Sequence, residues 1–142
     1  MIIYVPMTMD LITVGHIKVL EWLRDYKHQS HPQIIIGLLT DKALKGYKKN
    51  IVPFEERRYI VETLARGIRT KFNMPCCWVV PQDSLNPYKN LKKYKAVILA
   101  SGDGFEKVEK EAAKKLGVKL LKIDFPKTWA TSKLKKKIRQ EA

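Results

Sequence analysis

The chain has 142 residues, 45% of them apolar, which suits one domain over residues 1–142 with a real core. Twenty-eight Lys and Arg against fourteen Asp and Glu leave a net charge of +14, a field that attracts nucleotides, phosphorylated metabolites or nucleic acid without choosing among them. No apolar run reaches the roughly 18 residues of a membrane span, and the start MIIYVPM has neither the basic stretch nor the cleavage site of a signal peptide, so a cytoplasmic protein is expected.

In chain order, IIYVP reads as a first buried strand. GHIKVLEWLRDY then sets Ile17, Val19, Leu20 and Leu23 at helical spacing and predicts a helix from Gly15. QIIIGLL is a wholly apolar second strand, and TDKALKGYKKNIVP a polar loop. Pro53, followed by Glu55 and Glu56, opens a second helix with Pro first and acids in the first turn; it runs to about Leu64. The stretch 66–76 is the least patterned. CCWVVP gives a third strand, whose adjacent Cys76 and Cys77 point to opposite faces and cannot easily bridge. With no CxxC or Cys/His spacing, reduced thiols are expected. NPYKNLKKY is a turn and short helix, and KAVILAS a fourth strand. Gly102-Asp103-Gly104 leads into the helix FEKVEKEAAKKLG, with Gly117 as its stop. VKLLKI is a fifth strand, and DFPKTWATSKLKKKIRQ returns to a last helix capped by Thr131 or Ser132.

Apolar strands separated by helices imply an α/β fold: a five-stranded parallel sheet covered on both faces. Ligands of such sheets bind beyond the carboxyl ends of the strands. The loops 6–15, 40–53, 100–104 and 125–132 gather there, and they hold nearly every unusual residue. A helix starting at Gly15 aims free N–H groups at its loop, and Gly15 lets an anion come close to the backbone. His16 offers a ring N–H and Thr13 a hydroxyl. Lys45, Lys48 and Lys49 follow in the second loop, and Arg57 and Arg58 on the second helix. Thr131, Ser132 and their helix N-terminus offer more donors to phosphate oxygen. Each feature alone is an ordinary structural one; the set, in this order, suits a nucleotide's three phosphates.

The run VPMTMDLITVGH carries TxGH after the first strand, which resembles the HxGH/TxGH signature of the nucleotidyltransferase superfamily, including cytidylyltransferases and phosphopantetheine adenylyltransferase. ATSKLKKKI resembles the superfamily's second signature, of ISSTxIxxxI type. Between them, GLLTDKA, GYK, FEER and VVPQ resemble blocks of the cytidylyltransferase domain of phosphonate pathways, and glycerol-3-phosphate cytidylyltransferase is also similar. The resemblance covers residues 2 to 138 and implies a single Rossmann-like domain. Departures are visible too. Thr13 replaces the first His, Gly102-Asp103-Gly104-Phe105 replaces a GDDW block, and FPKTWATS replaces RTxGISST, with Lys127 and Thr128 in place of Arg and Gly.

What the resemblance implies is transfer of CMP from CTP to a phosphonate or phosphate-monoester acceptor, with pyrophosphate leaving. His16 would bond the α-phosphate beside Thr13, and Lys48 would neutralise acceptor and α-phosphate. Thr8, Met9 and Gly15 would border the nucleotide, Asp103 and Trp129 the nucleoside, and Thr131 and Ser132 the outer phosphates. Lys45 and Arg57 would bind the acceptor's phosphate. Mg²⁺, held mainly by the nucleotide's phosphates, and a homodimer are implied as well. Two alternatives stay open. Thr13 suits an ATP-dependent adenylyltransferase. The charge and the altered GDDW block suit a non-catalytic nucleotide- or RNA-binding protein.

Overall fold

Five short apolar segments pair side by side in the computed structural model, which describes residues 1–26, 31–124 and 131–141. The strands are β1 (Ile2–Met7), β2 (Gln33–Leu39), β3 (Cys77–Gln82), β4 (Ile98–Ser101) and β5 (Lys119–Lys122). The helices are α1 (Val14–Asp25), α2 (Asp41–Leu44), α3 (Phe54–Gly67), α4 (Tyr88–Lys93), α5 (Lys107–Leu116) and α6 (Thr131–Glu141). All pairings are parallel, in the order β3-β2-β1-β4-β5. The chain therefore steps outward from β1 to β3 and returns to the other side of β1 for β4. At that reversal the loops leaving β1 and β4 part to opposite faces, which opens a crevice at their carboxyl ends.

Strand alternation decides the two cores. Ile3, Val5, Ile34, Ile36 and Leu38 face α1 through Val19, Leu20 and Leu23, and α3 through Val61 and Ala65. Tyr4, Ile35 and Leu99 face Leu91 of α4 and the small Ala112 and Ala113 of α5. The expected α/β sheet with helices on both faces is what forms. Gly117 ends α5 in the left-handed region at φ 66, a conformation that costs glycine nothing. Among the described residues no helix is long and apolar enough to cross a membrane.

Three local readings change. The loop after β2 contains α2, because the Thr40 hydroxyl accepts from the Ala43 N–H at 3.2 Å and Ala43 and Leu44 pack on Leu39. Helix α3 continues to Gly67, past Leu64, because Ala65 is still a core contact. The weakly patterned stretch after it closes through a bridge between Arg69 and Pro75. Cys76 and Cys77 are free and buried, and burial pushes the Cys77 thiol up to about 12.

Arg57, expected at the acceptor's phosphate, is wholly buried instead. Its Nε donates to the Val52 carbonyl at 2.9 Å, and its Nη1 to the carbonyls of Thr8 and Leu39, both at 2.7 Å. Its Nη2 pairs with the Asp41 carboxylate at 2.9 Å. The guanidinium thus ties the loop after β1, the end of β2, the start of α2 and the approach to α3 into one block, and shows no surface to a ligand. Arg57→Met keeps the apolar stem but takes the donor from the carbonyls of Thr8 and Leu39, each worth about 1–3 kcal/mol, while Val52 keeps its bond from Asn50. We expect a loss of about 3 kcal/mol or more in urea unfolding. Wild-type stability in this variant would overturn the structural role of Arg57.

Candidate functional site

A cavity of about 660 Å³ lies at the reversal between β1 and β4, a volume typical of small-ligand sites. Its floor comes from the end of β1 and from the first loop. Met9 holds φ 52 there with its side chain 1% exposed. That left-handed turn, uncommon for a bulky residue, sends the chain sharply off the sheet. Thr13, Gly15 and His16 border the cavity from the start of α1. The helix begins at Val14, one residue before the expected Gly15.

His16 is held by its own helix. Its Nδ1 accepts the Thr13 backbone N–H at 3.0 Å, the place a Glu or Gln takes in a capping box. The Thr13 hydroxyl lies 3.4 Å from the same nitrogen. With Nδ1 an acceptor, the neutral ring carries its proton on Nε2. Burial holds the imidazole's pKa below its ordinary value, against the raising pull of the Asp103 charge. At neutral pH the ring is therefore an uncharged donor at the cavity wall.

Cations reach the cavity from two elements. Lys48 and Lys49 come from the loop after α2, with the Lys48 ammonium 5.5 Å above the Tyr47 ring. Lys135 and Arg139, one turn apart on α6, come from the other end of the chain. Asp103, Glu106 and Glu109 supply carboxylates from the β4–α5 side. The Tyr47 hydroxyl donates to Glu106 at 3.2 Å and joins the two sides.

Asp10 is the deep carboxylate, 6% exposed. It accepts the N–H groups of Ile51 at 2.9 Å and Val52 at 2.7 Å, and it pairs with the Lys135 ammonium. Burial alone would raise its pKa; the Lys135 bond and the two backbone N–H groups outweigh that, so it sits below the usual carboxylate range.

Of the residues expected at the site, Thr8, Met9, Thr13, Gly15, His16, Lys48 and Asp103 line this one cavity. Lys45 does not. It borders a neighbouring groove with Asp41 and Lys42, which meets the cavity at Tyr47, Lys48 and Lys49, across the turn at Gly46 (φ 80). Arg57 is the structural tie described above. Trp129 and the side chains of Thr131 and Ser132 lie outside the described residues, although α6 itself begins at Thr131. Sequence reasoning missed Asp10, Lys135 and Arg139. Asp10 stood inside the quoted VPMTMDLITVGH run, and the four-residue spacing of Lys135 and Arg139 was the available sign of a shared helix face. Among the described residues no three His, Cys, Asp or Glu side chains gather where they could hold a metal ion.

A solved structure from Archaeoglobus fulgidus, described as a protein with unknown function, is similar in fold, with a TM-score of 0.58 and 18% identity over 87% of this chain and 98% of that one. No curated protein matches the sequence. The family profile described as cytidylyltransferase-like matches residues 4–139, from the middle of β1 into the last turns of α6. That span takes in every element lining the cavity, and the chain belongs to the cytidylyltransferase-like family.

Proposed function

We propose that the chain transfers a cytidylyl group from CTP to a phosphonate or phosphate-monoester acceptor and releases pyrophosphate. The observation that carries this reading is the neutral His16, fixed by its helix as a donor in a cavity that also takes cations from two elements. An oxygen of the acceptor attacks the α-phosphorus and forms the new P–O bond. The bond from that phosphorus to the bridging oxygen breaks, and its electron pair leaves with pyrophosphate. The attacking oxygen is already anionic, so positioning and charge stabilisation do the catalysis and no strong base is required.

His16 donates from Nε2 to a non-bridging oxygen of the α-phosphate, where negative charge accumulates. Lys48 draws acceptor and α-phosphate together. Thr13, Gly15, Thr8 and Met9 border the phosphates and sugar, Asp103 lies on the nucleoside's side, and Thr131, Ser132, Lys135 and Arg139 of α6 take the outer phosphates. The nucleotide enters as its magnesium complex, in which the ion offsets part of the developing charge.

His16→Ala should lower turnover by about 10²–10³, the scale of one transition-state donor, with the fold retained. Wild-type turnover in that variant would end the reading. The substrate is settled by a pyrophosphate-release screen of CTP and ATP against phosphonates and phosphate monoesters. CTP preference is expected; ATP preference would make the chain an adenylyltransferase, and RNA binding with no pyrophosphate released by any pair would make it a binding protein. The pH profile has a fixed sign. Protonation of Nδ1 breaks its bond to the Thr13 N–H, so activity should hold above neutrality and fall on the acid side, with a midpoint below the ordinary 6.5 of imidazole. Stability falls in the same direction, because the unfolded chain takes up its proton first. An acid limb centred above pH ~7 would contradict the neutral donor.

A further inference from the structure

Helix α6 lies against the domain in an unusual way. Among its described side chains, Leu134 through Glu141, Lys135 alone is not exposed. Leu134 and Ile138, the apolar residues that would ordinarily pack a helix down, are 38% and 50% exposed. Lys135 pairs with Asp10, whose side chain is 2% exposed. The same carboxylate accepts the N–H groups of Ile51 and Val52, which come just after Lys48, Lys49 and Asn50 in the same loop. One charge thus touches the first loop, the lysine-bearing loop and α6.

We propose that Asp10 is the positioning residue that seats α6 on the cavity, acting through Lys135. The pair fixes α6 in the turn that also presents Arg139 to the cavity. A helix held by apolar packing would stay in place whatever the charge at position 10. A helix held by this pair moves when the charge is removed. The benefit for binding a polyphosphate rests on the nucleotidyl-transfer reading; the seating itself does not.

Asp10→Asn separates the two jobs of the carboxylate. The amide oxygen in the place of Oδ1 still accepts from Ile51 and Val52, while the amide nitrogen in the place of Oδ2 gives up only the second contact of the shared Ile51 N–H and cannot pair with an ammonium. The test is a cycle of D10N, K135M and the double variant, with two readouts. In the first, amide exchange of the ligand-free protein, each single variant should speed exchange across α6 by about tenfold, the scale of a hydrogen bond between charged groups. The segment 50–54 should stay protected, and the double variant should exchange no faster than either single one. Unchanged α6 exchange in the singles, or costs that multiply in the double, would overturn the proposal. Should D10N fail to fold, K135M alone decides, and wild-type α6 exchange there is a refutation.

In the second readout, calorimetry with inorganic triphosphate and with the magnesium complex of CTP, D10N should weaken binding about tenfold in the wild-type background and not at all in K135M. An equal cost in both backgrounds would reduce Asp10 to a support for its loop and defeat the proposal. If neither polyanion binds the wild-type chain while α6 exchange still couples Asp10 to Lys135, the seating stands and the nucleotidyl-transfer reading falls.

Discussion

A guanidinium removed from water must place its N–H groups on acceptors, or it costs the fold several kcal/mol. At Arg57 the acceptors come from separate loops: the Thr8 carbonyl after β1, the Leu39 carbonyl at the end of β2, and the Val52 carbonyl before α3. Each of these carbonyls takes a donor from the one side chain. The arginine and the loops therefore satisfy one another, and the carboxyl edge of the sheet becomes one rigid block. Asn50 reinforces it through Asp41 and the Val52 carbonyl, both at 2.9 Å. Asp10 draws on the adjacent N–H groups of the same stretch. A preorganised floor of this kind lets the cavity hold its shape without a disulfide.

Net charge explains less of the site than it first suggests. The chain is at +14, yet the cavity meets Lys48, Lys49, Lys135 and Arg139 with Asp10, Asp103, Glu106 and Glu109. The excess of lysine lies on the outer surfaces, as on α4 and at the far end of α5, where Lys92, Lys93, Lys114 and Lys115 are exposed. Apart from Asp10, which Lys135 neutralises, the cavity is segregated by element: cations from the 48–49 loop and α6, carboxylates from the β4–α5 loop and the start of α5. In the proposed reaction the phosphates would be drawn toward the first set, while a base or sugar with hydrogen-bonding edges would suit the second. The surface field increases encounter with any anion, and only the local arrangement selects one.

The fold was largely legible because burial on both faces leaves a plain trace. IIYVP and QIIIGLL are strings of apolar residues that only a covered sheet explains, and the glycine after KKL marks the helix end it was expected to mark. The site was legible where a motif is local. Thr13, Gly15 and His16 are neighbours in the chain and in the cavity. It failed where the partner is distant: Arg57 and Arg58 are adjacent on α3, yet one is fully buried and the other makes a half-buried pair with Glu62. Nothing in FEERRY says which arginine turns inward. Asp10 and Lys135 are separated by most of the chain, and pairing across that distance leaves no periodicity to read. Lys45 lies in the neighbouring groove, across the turn at Gly46.

The departure at Thr13 has its own physical account. Here the bond that orients His16 is made to the backbone N–H of residue 13, which every residue except proline can supply. The tautomer and aim of the imidazole therefore do not depend on which side chain stands at 13. Thr13 is left with the work its hydroxyl can do: it lies 3.4 Å from Nδ1 on one side and borders the cavity on the other. A second imidazole would add another titrating group to a wall where burial already disfavours charge on the first. A hydroxyl instead offers a donor at every working pH. The substitution narrows what position 13 contributes and leaves intact the bond that orients His16.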